Sequence, residues 1–282
     1  MIAVGYDLVE WPPSAWNPDG TTKIICIDTL TPEIDAHYVP EVELIGSFAY
    51  ILDVLALRLV GRCPAPFKVA PYREVFHRIL DVGSDDDTPV KPQRVLSDLR
   101  AAMADNDILI SDVGAHKLWV ARFWPATEPN TVLISNGFAA MGFALPAALA
   151  ASLAVKGKRK VVAICGDGGF LMNVQELETA KRLKLPFVIL VWTDGSYGLI
   201  EMHQRRRYGR VSGTRFGNPD FVALAQAFGV EGLRVEKAGD LPGILKRALA
   251  AKGPVVVDIP IDYTENEKLG IDLWKLAGTT EE

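Results

Sequence analysis

Apolar residues fall along this chain in short continuous runs, with stretches of helical spacing between them. The runs are KVVAIC at 160–165, FVILVW at 187–192, PVVVDIP at 254–260, DILIS at 107–111, TVLI at 131–134 and a shorter one at 232–235. Between them lie helical patterns at 92–104, in an Ala-rich stretch through 154, and at 174–184, 219–228 and 240–251. In the first, Val95, Leu96, Leu99 and Met103 share one side. Unbroken apolar strands alternating with helices predict an α/β fold, a parallel sheet with helices on both faces. In such sheets ligands bind beyond the carboxyl ends of the strands. Three of those ends carry Asp112, Asp167 and Asp194.

The first 60 residues are α/β material of another unit. Residues 1–4, KIICID at 23–28 and VELIG at 42–46 predict strands. Ser47 is the expected cap of a helix bearing Ile51, Leu52, Leu55 and Leu59. Too few strands are present to close a sheet. Residues 61–91, with Pro64, Pro66, Pro71, Pro89 and the run Asp85–Asp87, predict a linker with a short helix from Tyr72 to Leu80. The main domain is then expected at 92–265, with a tail at 266–282. Met1–Gly5 reads as the end of a buried strand without a lead-in, and the expectation is that an N-terminal portion is missing.

With 49% hydrophobic and 23% charged residues, the chain has an ordinary globular profile. A net charge of −5 argues against a nucleic-acid partner, and Arg205–Arg207 reads as a solvated loop or helix end. The apolar stretch Val132–Val155 is broken by turn residues and Pro146, which excludes a membrane span. Cys26, Cys63 and Cys165 show neither metal spacing nor a disulfide pattern. Cys26 and Cys165 sit inside apolar runs, as core residues do. A reducing, cytoplasmic location is expected.

Asp167 and Asp194 each end an apolar strand, with one helix between them. A right-handed crossover would bring both to one edge of the sheet. Two carboxylates beside glycine-rich turns suit Mg²⁺, which takes oxygen ligands and shares them with phosphates. Gly166, Gly168 and Gly169 are expected to leave backbone N–H groups free for a phosphate. The following helix, with Asn173 as N-cap and Glu176 completing a capping box, would point its N-terminus at the same spot. The alternative is a pair of carboxylates that only cap helices.

GDGG at 166–169, NVQELETAKRL at 173–183 and the polar pair Thr193-Asp194 resemble the signature of thiamin-diphosphate enzymes. SDVGAHKLW at 111–119, SNGFAAMGFALP at 135–146, WTDGSYG at 192–198, RFGNPDFV at 215–222 and AFGVEGLRVE at 227–236 resemble acetolactate synthases, the flavin-free catabolic type more than the biosynthetic type. Residues 1–60, through GYDLVEW and ELIG, resemble the tail of that family's central domain.

The resemblance implies thiamin diphosphate and Mg²⁺ as cofactors. Asp167, Asp194 and the Ser196 carbonyl would hold the metal, and Gly168 and Gly169 the diphosphate. Ala139 and Met141 would bind the aminopyrimidine, with Met141 propping the cofactor into its bent form. Ala115 and His116 would lie near the diphosphate. Thr193 stands where the family usually has Asn, a position not expected to ligate metal. The implied reaction condenses two pyruvates to 2-acetolactate with loss of CO₂. His203 stands where biosynthetic enzymes carry a specificity-setting Trp, and favours pyruvate as acceptor. The family's activating glutamate comes from the N-terminal domain of a partner subunit, which nothing here resembles. The chain alone is therefore expected to catalyse weakly or not at all, and the full-length form to be a homodimer or homotetramer. If this chain were active alone, Glu201 would be the acid to take over.

Three other readings compete. A Rossmann dinucleotide site lacks its third glycine, since position 171 is Leu. A 2-oxo acid decarboxylase with the same cofactor shares the motif. A sugar-binding or purely structural α/β module is the non-enzymatic alternative. The absent cover is expected to leave Ala139, Met141, the Val113–His116 turn and apolar surface in residues 1–60 exposed.

Overall fold

The computed structural model describes residues 1–8, 12–62, 74, 75, 78–81 and 87–270. Two compact units are present, Met1–Lys68 and Val69–Glu282. In the first, β1 (Ile2–Val4), β2 (Ile25–Asp28) and β3 (Val42–Ile45) form a parallel three-stranded sheet in that order. Its small core is Ala3, Ile24 and Tyr38, with Tyr6 and Trp16 packed around the Tyr38 ring. Apart from α1 (Pro13–Trp16), its helix is α2 (Phe48–Leu59), which buries no residue fully. Ser47 precedes α2 as expected but its side chain makes no capping bond. Ile2, Val4, Val42, Ile45, Tyr50 and Leu57 are exposed, as expected for this segment. Of the expected linker helix, Glu74, Val75 and Arg78–Leu80 are helical, and its other residues lie outside the described ones, as does Cys63.

The second unit is a six-stranded parallel sheet in the order β5-β4-β6-β7-β9-β8. The strands are β4 (Ile108–Ser111), β5 (Val132–Ile134), β6 (Val161–Gly166), β7 (Val188–Thr193), β8 (Glu231–Arg234) and β9 (Val255–Pro260). The central β6, β7 and β9 are buried from end to end except for their last residues. Side chains alternate across a strand, so each feeds two cores. One core gathers Leu109, Val162, Ile164, Leu190 and Val257 with α3 (Pro92–Ala102), α4 (Ala115–Phe123) and α10 (Leu241–Ala250). The other gathers Ile110, Ala163, Cys165, Ile189 and Val191 with α5 (Ala144–Val155) and α9 (Phe221–Ala227). The expected sheet with both faces covered is thus observed, and Cys26 and Cys165 are core residues.

Three local expectations need correction, and the helix-end reading of Arg205–Arg207 holds. The GDGG segment is not a turn before the next helix: it opens a helix of its own, α6 (Asp167–Met172). Asn173 does not cap α7 (Glu176–Arg182): its side-chain amide donates instead to the Gly142 carbonyl at 2.7 Å, and Gln175 takes the cap position. A tertiary acceptor has outcompeted the local capping box. Residues 265–266 are not a boundary, because one 3₁₀ segment runs from Tyr263 to Gly270. It is tied back by Trp119 Nε1 to Asn266 Oδ1 at 2.7 Å and by Gln93 to Glu265 at 2.6 Å. Arg205–Arg207 end α8 (Gly198–Tyr208), where cations suit the helix C-terminus.

Candidate active site

Strands β4, β6 and β7 are consecutive in the sheet, so Asp112, Asp167 and Asp194 stand side by side along its carboxyl edge. A cavity of about 220 Å³ opens there. Asp167, Asp194, Gly166, Gly168, Gly169 and Ser196 line it, together with Ala115, His116, Ala139 and Met141. Every residue expected at the site therefore faces one space. Asp112 does not: it is fully buried behind that wall.

Asp167 is 1% exposed, and four donors fix its carboxylate. Oδ2 accepts from the backbone N–H of Asp194 at 3.1 Å, the N–H of Gly195 at 2.7 Å and the Asn218 side chain at 2.8 Å. Among the described residues, Oδ1 accepts only from the Gly168 N–H, at 2.8 Å. The Gly168 N–H is thus engaged rather than free, because Asp167 begins the helix and its carboxylate reaches the next donor. As expected, no bulky apolar side chain comes between the two acids: the Asp194 N–H donates directly to the Asp167 carboxylate. Asp194 accepts from Ser196, at 3.0 Å from the hydroxyl and 3.3 Å from the N–H. Burial, and then the nearby Asp167 charge, push its carboxyl up to about 6. The adjacent negative charges of Asp167 and Asp194 favour a cation between them.

The backbone chemistry fits such a cation. Among the described residues no group of three or more His, Cys, Asp or Glu side chains could hold a metal. The Gly195 carbonyl accepts from the Phe216 N–H at 3.1 Å, while the carbonyl of Ser196, the third ligand that the family resemblance implies, accepts no hydrogen bond among the described residues. A diphosphate also finds a close backbone approach. A Cβ on Gly168 would stand 2.6 Å from the Tyr197 ring, and one on Gly169 3.0 Å from Asp112 Oδ2. Only glycine fits at 168 beneath the tilted Tyr197 and Phe216 rings.

Ala139 has a φ of 48° and Gly142 of 83°, so the chain folds back tightly here. None of the hydrogen bonds among the described residues uses the Ala139 carbonyl or the Met141 N–H. Both are available to an aromatic heterocycle with donor and acceptor edges. His116 is 1% exposed, and burial lowers its pKa to about 4, keeping it neutral. Its ring bonds to the Asp112 carbonyl, while Nε2 has no partner. Nδ1 is therefore the protonated nitrogen and Nε2 an acceptor. Such an imidazole cannot donate to a diphosphate oxygen.

The expected exposure of this wall holds only in part. Ala115 and His116 are buried at 4% and 1%, because α4 packs their side of the turn against the sheet. Phe138, beside Ala139, is fully exposed. His203 is exposed on α8 and does not line the cavity. Glu201 is buried but tied to Arg205 at 2.6 Å and Arg215 at 3.2 Å, and these pairings hold its carboxyl low. It does not line the cavity either. Sequence reasoning missed Asn218, Tyr197 and Tyr263. The GNPDF stretch marked the first only as part of a resemblance, and nothing local marked Tyr263, which reaches the cavity from the 3₁₀ segment.

Residues 112–259 match the family model of the thiamine pyrophosphate enzyme C-terminal TPP binding domain. The chain is 37% identical over 276 residues to an acetolactate synthase of Bacillus subtilis, covering 96% of this chain and 48% of that one. It is 37% identical over 274 residues to a catabolic acetolactate synthase of Raoultella terrigena, covering 95% and 49%. An X-ray structure described as a thiamin diphosphate-dependent enzyme from Mycobacterium smegmatis superposes with a TM-score of 0.71 at 25% identity, over 92% of this chain and 48% of that one. The chain spans about half the length of these relatives. With the glycine-floored acidic cavity at the edge of a parallel sheet, the match over 112–259 places this chain in the thiamine pyrophosphate enzyme family, in its C-terminal TPP-binding domain.

Proposed function

We propose that this chain supplies the metal- and diphosphate-binding half of an acetolactate synthase. The observation that carries the reading is the cavity that gathers Asp167, Asp194 and Ser196 with the Ala139–Met141 turn. Asp167, Asp194 and the Ser196 carbonyl would hold Mg²⁺. At the N-terminus of α6 the Gly169 N–H would take the diphosphate, with Gly168 giving it a close backbone approach, and Ala139 and Met141 would take the aminopyrimidine. When bound, thiamin diphosphate supplies a carbon nucleophile and an electron sink. The chain's own residues bind and orient it. Met141 would stand under its bend, and the buried neutral His116 would keep an acceptor at the wall without adding charge. The net reaction joins two pyruvates and one proton into 2-acetolactate and CO₂. A glutamate from a partner subunit would complete the site, in a homodimer or homotetramer in the cytoplasm.

Similarity to two acetolactate synthases, one of them catabolic, supports this reading over a decarboxylase. Two measurements test it. Thiamin diphosphate should bind this chain only with a divalent cation present. Protein spanning the relatives' whole length should form one 2-acetolactate per CO₂ released from pyruvate. Acetaldehyde as the product would instead identify a 2-oxo acid decarboxylase.

A further inference from the structure

Of the three strand-end carboxylates, two face the cavity and the third, Asp112, faces away from it. Asp112 is fully buried, yet it has no cationic partner among its hydrogen bonds. Its partners are backbone donors. The Val113 N–H lies at 2.7 Å, and the Gly142 N–H is shared between Oδ1 and Oδ2 at 3.0 Å each. Phe143 and Ala144 add further N–H groups. The carboxylate thus gathers the donors of the segment that follows Met141. A buried charge survives only where such donors replace water.

The same glycine is held from its other side. Asn173, just past the end of α6, donates to the Gly142 carbonyl at 2.7 Å. Gly142 is therefore gripped at both its N–H and its C=O, by residues 30 positions before it and 31 after. Its φ of 83° and the 2.7 Å approach of Asn173 to a notional Cβ leave no room for another residue. Asp112 Oδ2 also lies against Gly169. The grip thus joins the turn carrying Ala139 and Met141 to the helix carrying Asp167, Gly168 and Gly169.

We propose that Asp112 and Asn173 are positioning residues that hold Gly142 at both ends of its peptide, setting the Ala139–Met141 turn at a fixed distance from the diphosphate-binding glycines. The inference rests on the reading of that turn as the aminopyrimidine seat. Neither residue lines the cavity. They act on the distance between the cofactor's two binding ends, so their loss weakens recognition of the whole molecule and spares recognition of its diphosphate.

The test compares two probes on the 282-residue chain with Mg²⁺: inorganic pyrophosphate and thiamin diphosphate. Titration calorimetry reads both affinities, and amide hydrogen exchange reads the Gly137–Phe143 stretch. In Asn173→Asp, which keeps shape and removes the donor, thiamin diphosphate should bind roughly tenfold more weakly, as loss of one buried hydrogen bond allows. Pyrophosphate should stay within about twofold, and exchange at the turn should quicken. Asn173→Ala and Asp112→Asn should show the same split. Equal weakening of both probes, or no change in either, overturns the proposal. Wild-type chain that binds pyrophosphate but gains nothing from the thiamin moiety overturns it as well. Wild-type chain that binds neither probe overturns the thiamin-diphosphate reading itself.

Discussion

The Asn218 side-chain amide donates to Oδ2 of Asp167 at 2.8 Å, across 51 residues of chain. With the Asp194 and Gly195 N–H groups on the same oxygen, Oδ2 is saturated. Oδ1 carries one donor, so a cation should engage Asp167 through Oδ1 alone. Asn218→Ala removes one of the three donors on Oδ2 and loosens the hold on the carboxylate. Mg²⁺ affinity in the presence of pyrophosphate should fall roughly tenfold, the scale of a hydrogen bond to a charged group. Calorimetry at constant pyrophosphate reads it, and unchanged affinity would show that Asn218 does not orient the ligand.

Asp194 carries a pH signature. Its carboxyl is raised to about 6 in the folded chain from an ordinary 3.8, by burial first and the Asp167 charge second. A raised acid binds its proton more tightly when folded. Its contribution is most favourable at low pH and is lost as pH rises through about 6. Without metal, Asp194→Asn should therefore melt higher than wild type at pH 7.5, and the gap should close near pH 4. Since protons compete with the cation, Mg²⁺ should raise the wild-type melting temperature more at pH 7.5 than at pH 5. The reverse order of either pair would contradict the assignment.

His116 carries the opposite signature. Its pKa falls from 6.5 to about 4 through burial. The stability this supports is complete above 6.5 and drains as pH falls through 4, by up to about 3 kcal/mol. Urea unfolding of wild type and His116→Gln, compared at pH 7.5 and 4.5, isolates the contribution. The variant should lose less stability on acidification, and parallel losses would show that His116 is not the group responsible.

The carboxylates lining the cavity are Asp167 and Asp194, and no described glutamate joins them. Turnover of pyruvate by the 282-residue chain should accordingly be at least about a hundredfold below that of protein spanning the relatives' length, as expected where a proton-transfer group is missing. Glu201→Gln should not alter whatever turnover remains, since Glu201 is committed to Arg205 and Arg215. A marked fall in that variant would restore Glu201 as the activating acid.

What the sequence disclosed and what it hid divide along a physical line. Asp167 and Asp194 were legible because each ends an apolar run, and parallel strands put such ends at one edge. Asn173 was misread because a capping box is a local pattern, whereas its actual acceptor lies 31 residues away. Helix α6 was missed because Gly168 and Gly169 argue against helix, a propensity overridden by close packing under Tyr197 and Phe216. Asn218 and Tyr263 reach the site on segments without periodicity. The capping role of Ser47 failed for want of a side-chain bond, although the helix it precedes formed.

The pairing of Gly166 with Trp192 fixes how far β6 and β7 advance beside each other, and so how their two terminal acids meet. Slipping one strand by a single residue would shift Asp194 by about 3.3 Å and turn its side chain to the other face. No cation could then bridge the pair. A cation held by both carboxylates would therefore inspect strand alignment, rewarding only chains assembled in the right register. A cofactor present during folding would draw misaligned chains toward that register by mass action, so that supply of the vitamin would govern how much correctly assembled protein accumulates.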